Sequence, residues 1–199
     1  LRNINMAAQL TRSDLMSLEQ YSQQRGDFLT KVIAHKKHRR VGIGSHLFLY
    51  FEDRLTIQYQ VQEMLRIEMI FESEGIEEEL DAYYPLIPNG QNLKATAMLE
   101  YQDVDERKRQ LALLRGIEDL VWIQVEGFDP VYAISNEDLE RSNAEKTSAV
   151  HFMRFELEPE TITALRNGAA LKMGSNHESY RHSTDVEPST REALLADLD

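Results

Sequence analysis

Residues 46–71 read HLFLYFEDRLTIQYQVQEMLRIEMIF, and the period of the apolar residues changes partway through. At the start, His46, Phe48 and Tyr50 share one side of an extended run, and Leu47, Leu49 and Phe51 share the other. Both faces are largely apolar, as in a strand covered on both sides. The stretch 50–71 then reads as a helix. On an ideal wheel of about 100° per residue, Ile57, Val61, Met64, Leu65 and Phe71 make one apolar arc, and Glu68 falls inside it. A second arc mixes Leu55, Tyr59 and Met69 with Arg54, Gln58, Gln62 and Arg66. A covered strand leading into a helix with two packed sides requires a layered protein, with polar groups of the helix partly buried.

The rest of the chain supplies the other layers. LTRSDLMSLEQYSQQ and GDFLTKVIAHKKHRR read as two helices, the second capped by Asp27 and ending in cations. Gly42 and Gly44 suggest a turn or bulge before the covered strand. ESEGIEEELDAYY is a strongly acidic stretch, followed by a loop at PLIPNG. NLKATAMLEY reads as a strand and VDERKRQLALLRGI as a helix. VWIQVEG and VYAIS read as a hairpin, and residues 136–146 as a short polar helix or a loop. SAVHFMRFELE alternates most clearly of all, ETITALRNG reads as a helix and AALKMGS as a last strand. The expectation is one α+β domain over 10–182, with a mainly antiparallel sheet of about six strands, N-terminal helices and a central two-sided helix. In the tail 183–199, Ser189 and Glu192 form a capping-box pattern before ALLADL, which reads as a short docking helix or a frayed end. Residues 1–5 carry no readable pattern.

Buried amides and charges need partners, so the central helix belongs to a hydrogen-bond network in which Glu68 faces a cation or stays protonated. Two roles fit. Its polar groups tie the helix to its neighbours, or Arg54, Gln58, Gln62, Glu63, Arg66 and Glu68 line a pocket for a small anionic or amide-bearing ligand. Arg154, on the polar side of SAVHFMRFELE, joins the candidate ligand set. His151 keeps phase with Met153, Phe155 and Leu157, and His46 with Phe48 and Tyr50. With Glu63 or Glu68 nearby, the two histidines could form an N/O site for iron, manganese or zinc; otherwise they are core histidines with hydrogen-bonded rings. His177, Tyr180 and His182 lie on a segment that reads as a surface loop, and HESYRH has neither the spacing nor the helical context of a metalloprotease. In HKKHRR, Lys36, Lys37, Arg39 and Arg40 with His35 and His38 form the strong cationic run, either a solvated helix end or a contact for phosphate or an acidic partner.

A net charge of −12 disfavours general binding to nucleic acid or anionic membranes, because either polyanion is repelled at long range. Without cysteine, the chain has no disulfide, thiolate metal site, cysteine nucleophile or iron–sulfur cluster on its own cysteines. No apolar run reaches the roughly 18 residues of a membrane span, and the expected location is the cytoplasm. P-loop, G-x-S-x-G and G-x-G-x-x-G signatures are all missing. Nothing in the pattern fixes an oligomeric state.

AHKKHRRVGIGSH, YFEDRLTIQYQVQEMLRIE, NLKATAMLEY, GIEDLVWIQVEG and EKTSAVHFMRFEL together resemble the bacterial domain-of-unknown-function family numbered 3501, over roughly 10–182. The resemblance brings no catalytic residues. It implies a context: members are often encoded near rubrerythrin-like diiron proteins and iron–sulfur proteins related to heterodisulfide reductase subunits. The resulting expectation is an accessory or binding protein beside an iron-dependent redox or peroxide-handling system, with such a protein as partner.

Overall fold

The computed structural model describes residues 10–138, 141–143 and 145–199. Its helices are α1 (Leu18–Lys36), α2 (Arg54–Ile67), α3 (Ser73–Tyr83), α4 (Val104–Leu113), α5 (Pro159–Arg166) and α6 (Pro188–Leu195). Its strands are β1 (Arg40–Ile43), β2 (Leu47–Glu52), β3 (Asn92–Leu99), β4 (Val121–Val125), β5 (Val131–Tyr132), β6 (Ile134–Ser135), β7 (Val150–Glu156), β8 (Leu171–His177) and β9 (Tyr180–Asp185). They form two antiparallel sheets, ordered β1-β2-β3-β7-β6 and β5-β4-β8-β9. The α+β class and antiparallel pairing follow the sequence expectation, while the strands number nine rather than about six and divide into two sheets.

The sheets share one apolar core. Leu49, Phe51, Leu93 and Phe155 of the first meet Val121, Ile123 and Met173 of the second. Alternation sets this arrangement: in β2 and β7 every second side chain is buried and the others are half-buried. The short segment after Pro130 joins the sheets, since Ile123 pairs with Val131 in β5 and Arg154 with Ile134 in β6. On the opposite face of the second sheet Trp122 lies across β8, where a Cβ added at Gly174 would stand 2.3 Å from the indole. Only glycine fits there.

A second, smaller core joins Ile57, Val61 and Leu65 of α2 to Leu80 of α3, Leu10 and Ile87. Two helices were expected where α1 runs unbroken, because Gly26 is a tolerated position inside a helix packed on α2 and ends nothing. The acidic stretch 72–84 holds α3. The residues from 183 on complete β9 and form α6, whose Leu194 is buried with Leu198 in the sheet core. The polar segment 136–146 includes Leu139, Glu140 and Ala144, which lie outside the described residues, as do residues 1–5.

Candidate functional site

On the central helix, the polar residues act as fasteners. Asp53 caps α2, accepting from the Thr56 amide at 3.0 Å, while the Thr56 hydroxyl accepts from the Asp53 amide at 2.9 Å. Arg54 pairs with Asp14 at 2.6 Å, and Gln58 donates to the Asp14 carbonyl at 2.7 Å. Gln62 accepts from the Met16 amide at 2.6 Å and donates to its carbonyl at 3.3 Å. Glu63 takes the Tyr21 hydroxyl at 2.6 Å, two Arg25 nitrogens at 2.7 and 3.0 Å, and Arg66 at 3.2 Å. The Arg25 hydrogen bond, opposed by burial and helped by Tyr21 and Arg66, lowers the Glu63 carboxyl to about 2. Arg54, Gln58, Gln62 and Glu63 thus bind the N-terminal segment and α1 onto α2, while Arg66 supports Glu63 from the same helix. Arg54 and Gln58 also border a cleft of about 540 Å³ with Lys31 and Asp197. Glu68 departs from expectation: it keeps the helical bond to Met64 but is exposed, as are Arg66, Ile67 and Met69, because the end of α2 projects past the small core that its phase would face.

The basic run divides in the same way. Lys37 and His38 are exposed, and Lys36 lies 5.8 Å from the Tyr59 ring. Arg40 spreads over Phe48 at 3.8 Å and donates to the Tyr50 hydroxyl at 3.0 Å. Arg39 is a correction to the expected anion-binding set, because it is 2% exposed. Its guanidinium donates to the carbonyls of Phe51 (3.1 Å), Ala193 (3.0 Å) and Glu52 (3.3 Å), pairs with Asp197 and stands 3.5 Å from Asp53. His35 Nε2 meets Asp53 at 2.5 Å. Burial, opposed by Arg39, raises the Asp197 carboxyl to about 6.

The two histidines expected to share a metal lie on opposite faces of the first sheet. His46 is on the outer side, stacked on Tyr101 at 4.1 Å, and donates from Nδ1 to the Glu100 carbonyl at 2.8 Å. His151 is on the inner side, cross-strand from Ala97. Its Nε2 donates to the Ser148 carbonyl at 3.0 Å, its Nδ1 accepts from Asn136 at 3.1 Å, and Glu118 stands 4.0 Å away. Burial holds this imidazole below its usual pKa, in the neutral form. Glu63 belongs to the helical group, so the proposed His46, His151 and helix-carboxylate set does not assemble. Among the described residues no group of three His, Asp or Glu is placed to hold a metal ion. The segment read as a surface loop is the β8–β9 hairpin: its turn residues Glu178 and Ser179 and His182 are exposed, while His177 is 6% exposed and the Tyr180 hydroxyl donates to the Ile43 carbonyl at 2.7 Å while accepting from the amides of His46 (2.9 Å) and Leu47 (3.1 Å).

Arg154 alone of the expected ligand set opens into a large polar cleft, of about 1040 Å³. Its floor is the outer face of β3 and β7, and its rim comes from the loop before β3 and from α5. Register puts Lys94 directly across from Arg154, two cations side by side on one face. Arg154 grips Glu137 through a fork of two 2.8 Å bonds and also bonds Glu156, which accepts from Asn92 at 2.9 Å. Arg154 in turn lowers the Glu137 carboxyl. Lys94 donates to the Pro85 carbonyl, and burial together with Arg154 depresses its ammonium pKa. Sequence reasoning missed Lys94, Asn92, Glu137 and Glu156. The available signal was the outward phase of Lys94 and Arg154 in two alternating strands, but their pairing depends on register, which neither strand reveals by itself.

Fold and cleft together define an α+β protein of two packed antiparallel sheets with a charged recess on the outer face of the larger one. The chain belongs to the family described as "Protein of unknown function (DUF3501)", whose model matches residues 9–198 and so includes the C-terminal segment. It is similar to a novel protein of unknown function from Burkholderia pseudomallei, solved as a crystal structure, at 51% identity and a TM-score of 0.91, over 96% of this chain and 100% of that one. No curated protein matches it. Among the described residues no helix is long and apolar enough to cross a membrane.

Proposed function

We propose that this protein binds a small anionic ligand, a carboxylate or phosphate compound, in the cleft over β3 and β7. The observation that carries this reading is the direct cross-strand pairing of Lys94 with Arg154. Like charges placed opposite each other on a sheet are destabilising, and the arrangement becomes favourable when an anion lies between them. Glu137 fills that role for Arg154 here, but its side chain is 51% exposed and sits next to Asn136, whose backbone is left-handed at φ 54°. A ligand oxyanion can take over the fork as Glu137 swings outward, and Lys94 supplies the second cation. Arg166, already bonded to the Leu198 carbonyl at 2.6 Å, lines the far wall.

Thermal-shift titration with phosphate, citrate and short dicarboxylates, against chloride at matched ionic strength, tests the reading. Stabilisation of the native chain that is lost in both Arg154→Leu and Lys94→Met supports it; no stabilisation beyond chloride ends it. An accessory role in the cytoplasm beside an iron-dependent redox or peroxide-handling system, with a rubrerythrin-like or iron–sulfur partner, is supported by the family resemblance alone. Co-purification with such a protein would test that role separately.

A further inference from the structure

Between α2 and α3 three large apolar side chains face solvent: Ile67 is 62% exposed, Met69 74% and Phe71 68%. The backbone holds them there. Ile70 between them packs inward on the helical core, and its amide donates to the Leu65 carbonyl at 2.9 Å. Met69 adopts φ 55°, a left-handed conformation that non-glycine residues rarely take. Phe71 also forms one wall of a groove of about 390 Å³ whose apolar lining is Leu15, Leu18, Leu65, Ile70 and Ile76; Arg12, held by the Ser73 hydroxyl at 2.6 Å, stands at its edge with Ser17 and Gln20, so a partner's cations belong on the α3 side.

Acid surrounds this apolar surface. Glu68, Glu72, Glu74, Glu77, Glu78 and Asp81 are exposed, and none of them takes part in an ion pair among the described residues. Burial, then Glu68 and Glu78, raise the Glu79 carboxyl, which marks a local concentration of negative charge. A second copy of the chain does not suit the surface, because an isologous contact would press one acidic ridge against another. An anionic lipid surface is repelled for the same reason.

We propose that the groove beside Phe71 and the acidic side of α3 dock a cationic amphipathic helix from another protein. The partner's apolar side chains lie in the groove and against Met69 and Ile67, and its Lys and Arg residues meet the α3 carboxylates. Apolar contact gives residence and the charge gives orientation and a faster encounter.

The test is fluorescence anisotropy with a labelled amphipathic Leu/Lys helix, compared with a Lys/Ser helix of equal charge and a Leu/Glu helix of equal pattern. Preferred binding of the Leu/Lys helix is expected. Met69→Asn with Phe71→Ser weakens it about tenfold, or about 1.4 kcal/mol, Asn being chosen because it tolerates the left-handed backbone. Glu77→Lys with Glu78→Lys weakens it at low salt, and the difference fades as salt rises. Arg154→Leu leaves it unchanged, which separates this surface from the anion cleft, and cross-links from a photoreactive leucine fall within residues 12–20 and 65–80, the two walls of the groove. Equal affinity in the surface variants, equal binding of the Lys/Ser helix, cross-links elsewhere, or a dimer of the free chain abolished by the Met69 and Phe71 changes would overturn the proposal.

Discussion

Phe155 in β7 and Glu63 in α2 both stand almost out of reach of water, and they hold their surroundings together in opposite ways. Phe155 belongs to a large core filled from two sheets, where attraction is non-directional and depends on close packing. Glu63 belongs to a helical group with a small apolar core, and much of the attachment between α1 and α2 runs through its carboxylate. A packed core resists changes of pH and loses stability in proportion to removed volume. A carboxylate hub is sensitive to single protons and single atoms, so the helical group is the more tunable part of the molecule.

The sharpest way to break this comparison is in the sheets. Phe155→Ala leaves a void in a site that cannot collapse, and a loss of about 3–5 kcal/mol in urea unfolding is expected. Glu63→Gln should cost less, roughly 1–3 kcal/mol, since it removes the charge that Tyr21 and Arg25 address while keeping the shape. Hydrogen exchange locates the two effects: the Glu63 variant should speed exchange in α1 and α2 and leave β7 protected.

The smallest effect lies in the pH dependence, where two carboxylates work with opposite sign. The folded pKa of Glu63, about 2, lies below its ordinary value of 4.5, so its stabilisation is present above pH 4.5 and is lost as pH falls towards 2. That of Asp197, about 6, lies above its ordinary value of 3.8, so its contribution is complete below pH 3.8 and is lost as pH rises through 6. Denaturation midpoints across this range should therefore flatten at the acid end in Glu63→Gln and between pH 4 and 6 in Asp197→Asn. A wild-type slope retained in both variants would contradict these assignments.

Much of the fold was legible because strand phase is a local property. The alternation of SAVHFMRFELE placed His151, Met153 and Phe155 inward and Arg154 and Glu156 outward, as the structure has them. The division into two sheets was not legible, since it turns on β5 and β6, two residues each and too short to show a period. Extending the α2 wheel beyond Ile67 misplaced Phe71, because left-handed Met69 ends the phase, and misjudged Glu68, which keeps its helical bond to Met64 but caps an exposed helix end. The role of the α2 polar residues was not legible for a different reason. Polarity on α2 announced a network, and composition does not distinguish a network that binds its own chain from one that awaits a ligand. The Lys94–Arg154 pair depended on register between strands more than fifty residues apart.

Arg39 lies shortly after α1, yet two of its partners, the Ala193 carbonyl and the Asp197 carboxylate, arrive with α6. Those partners are synthesised 154 and 158 residues after it, so until then the guanidinium keeps part of its hydrogen-bonding capacity directed at water. The pocket that encloses it can close only after residues 188–199 have cleared the exit tunnel. The arrival of α6, rather than completion of the sheets, is therefore the moment at which this arginine becomes buried.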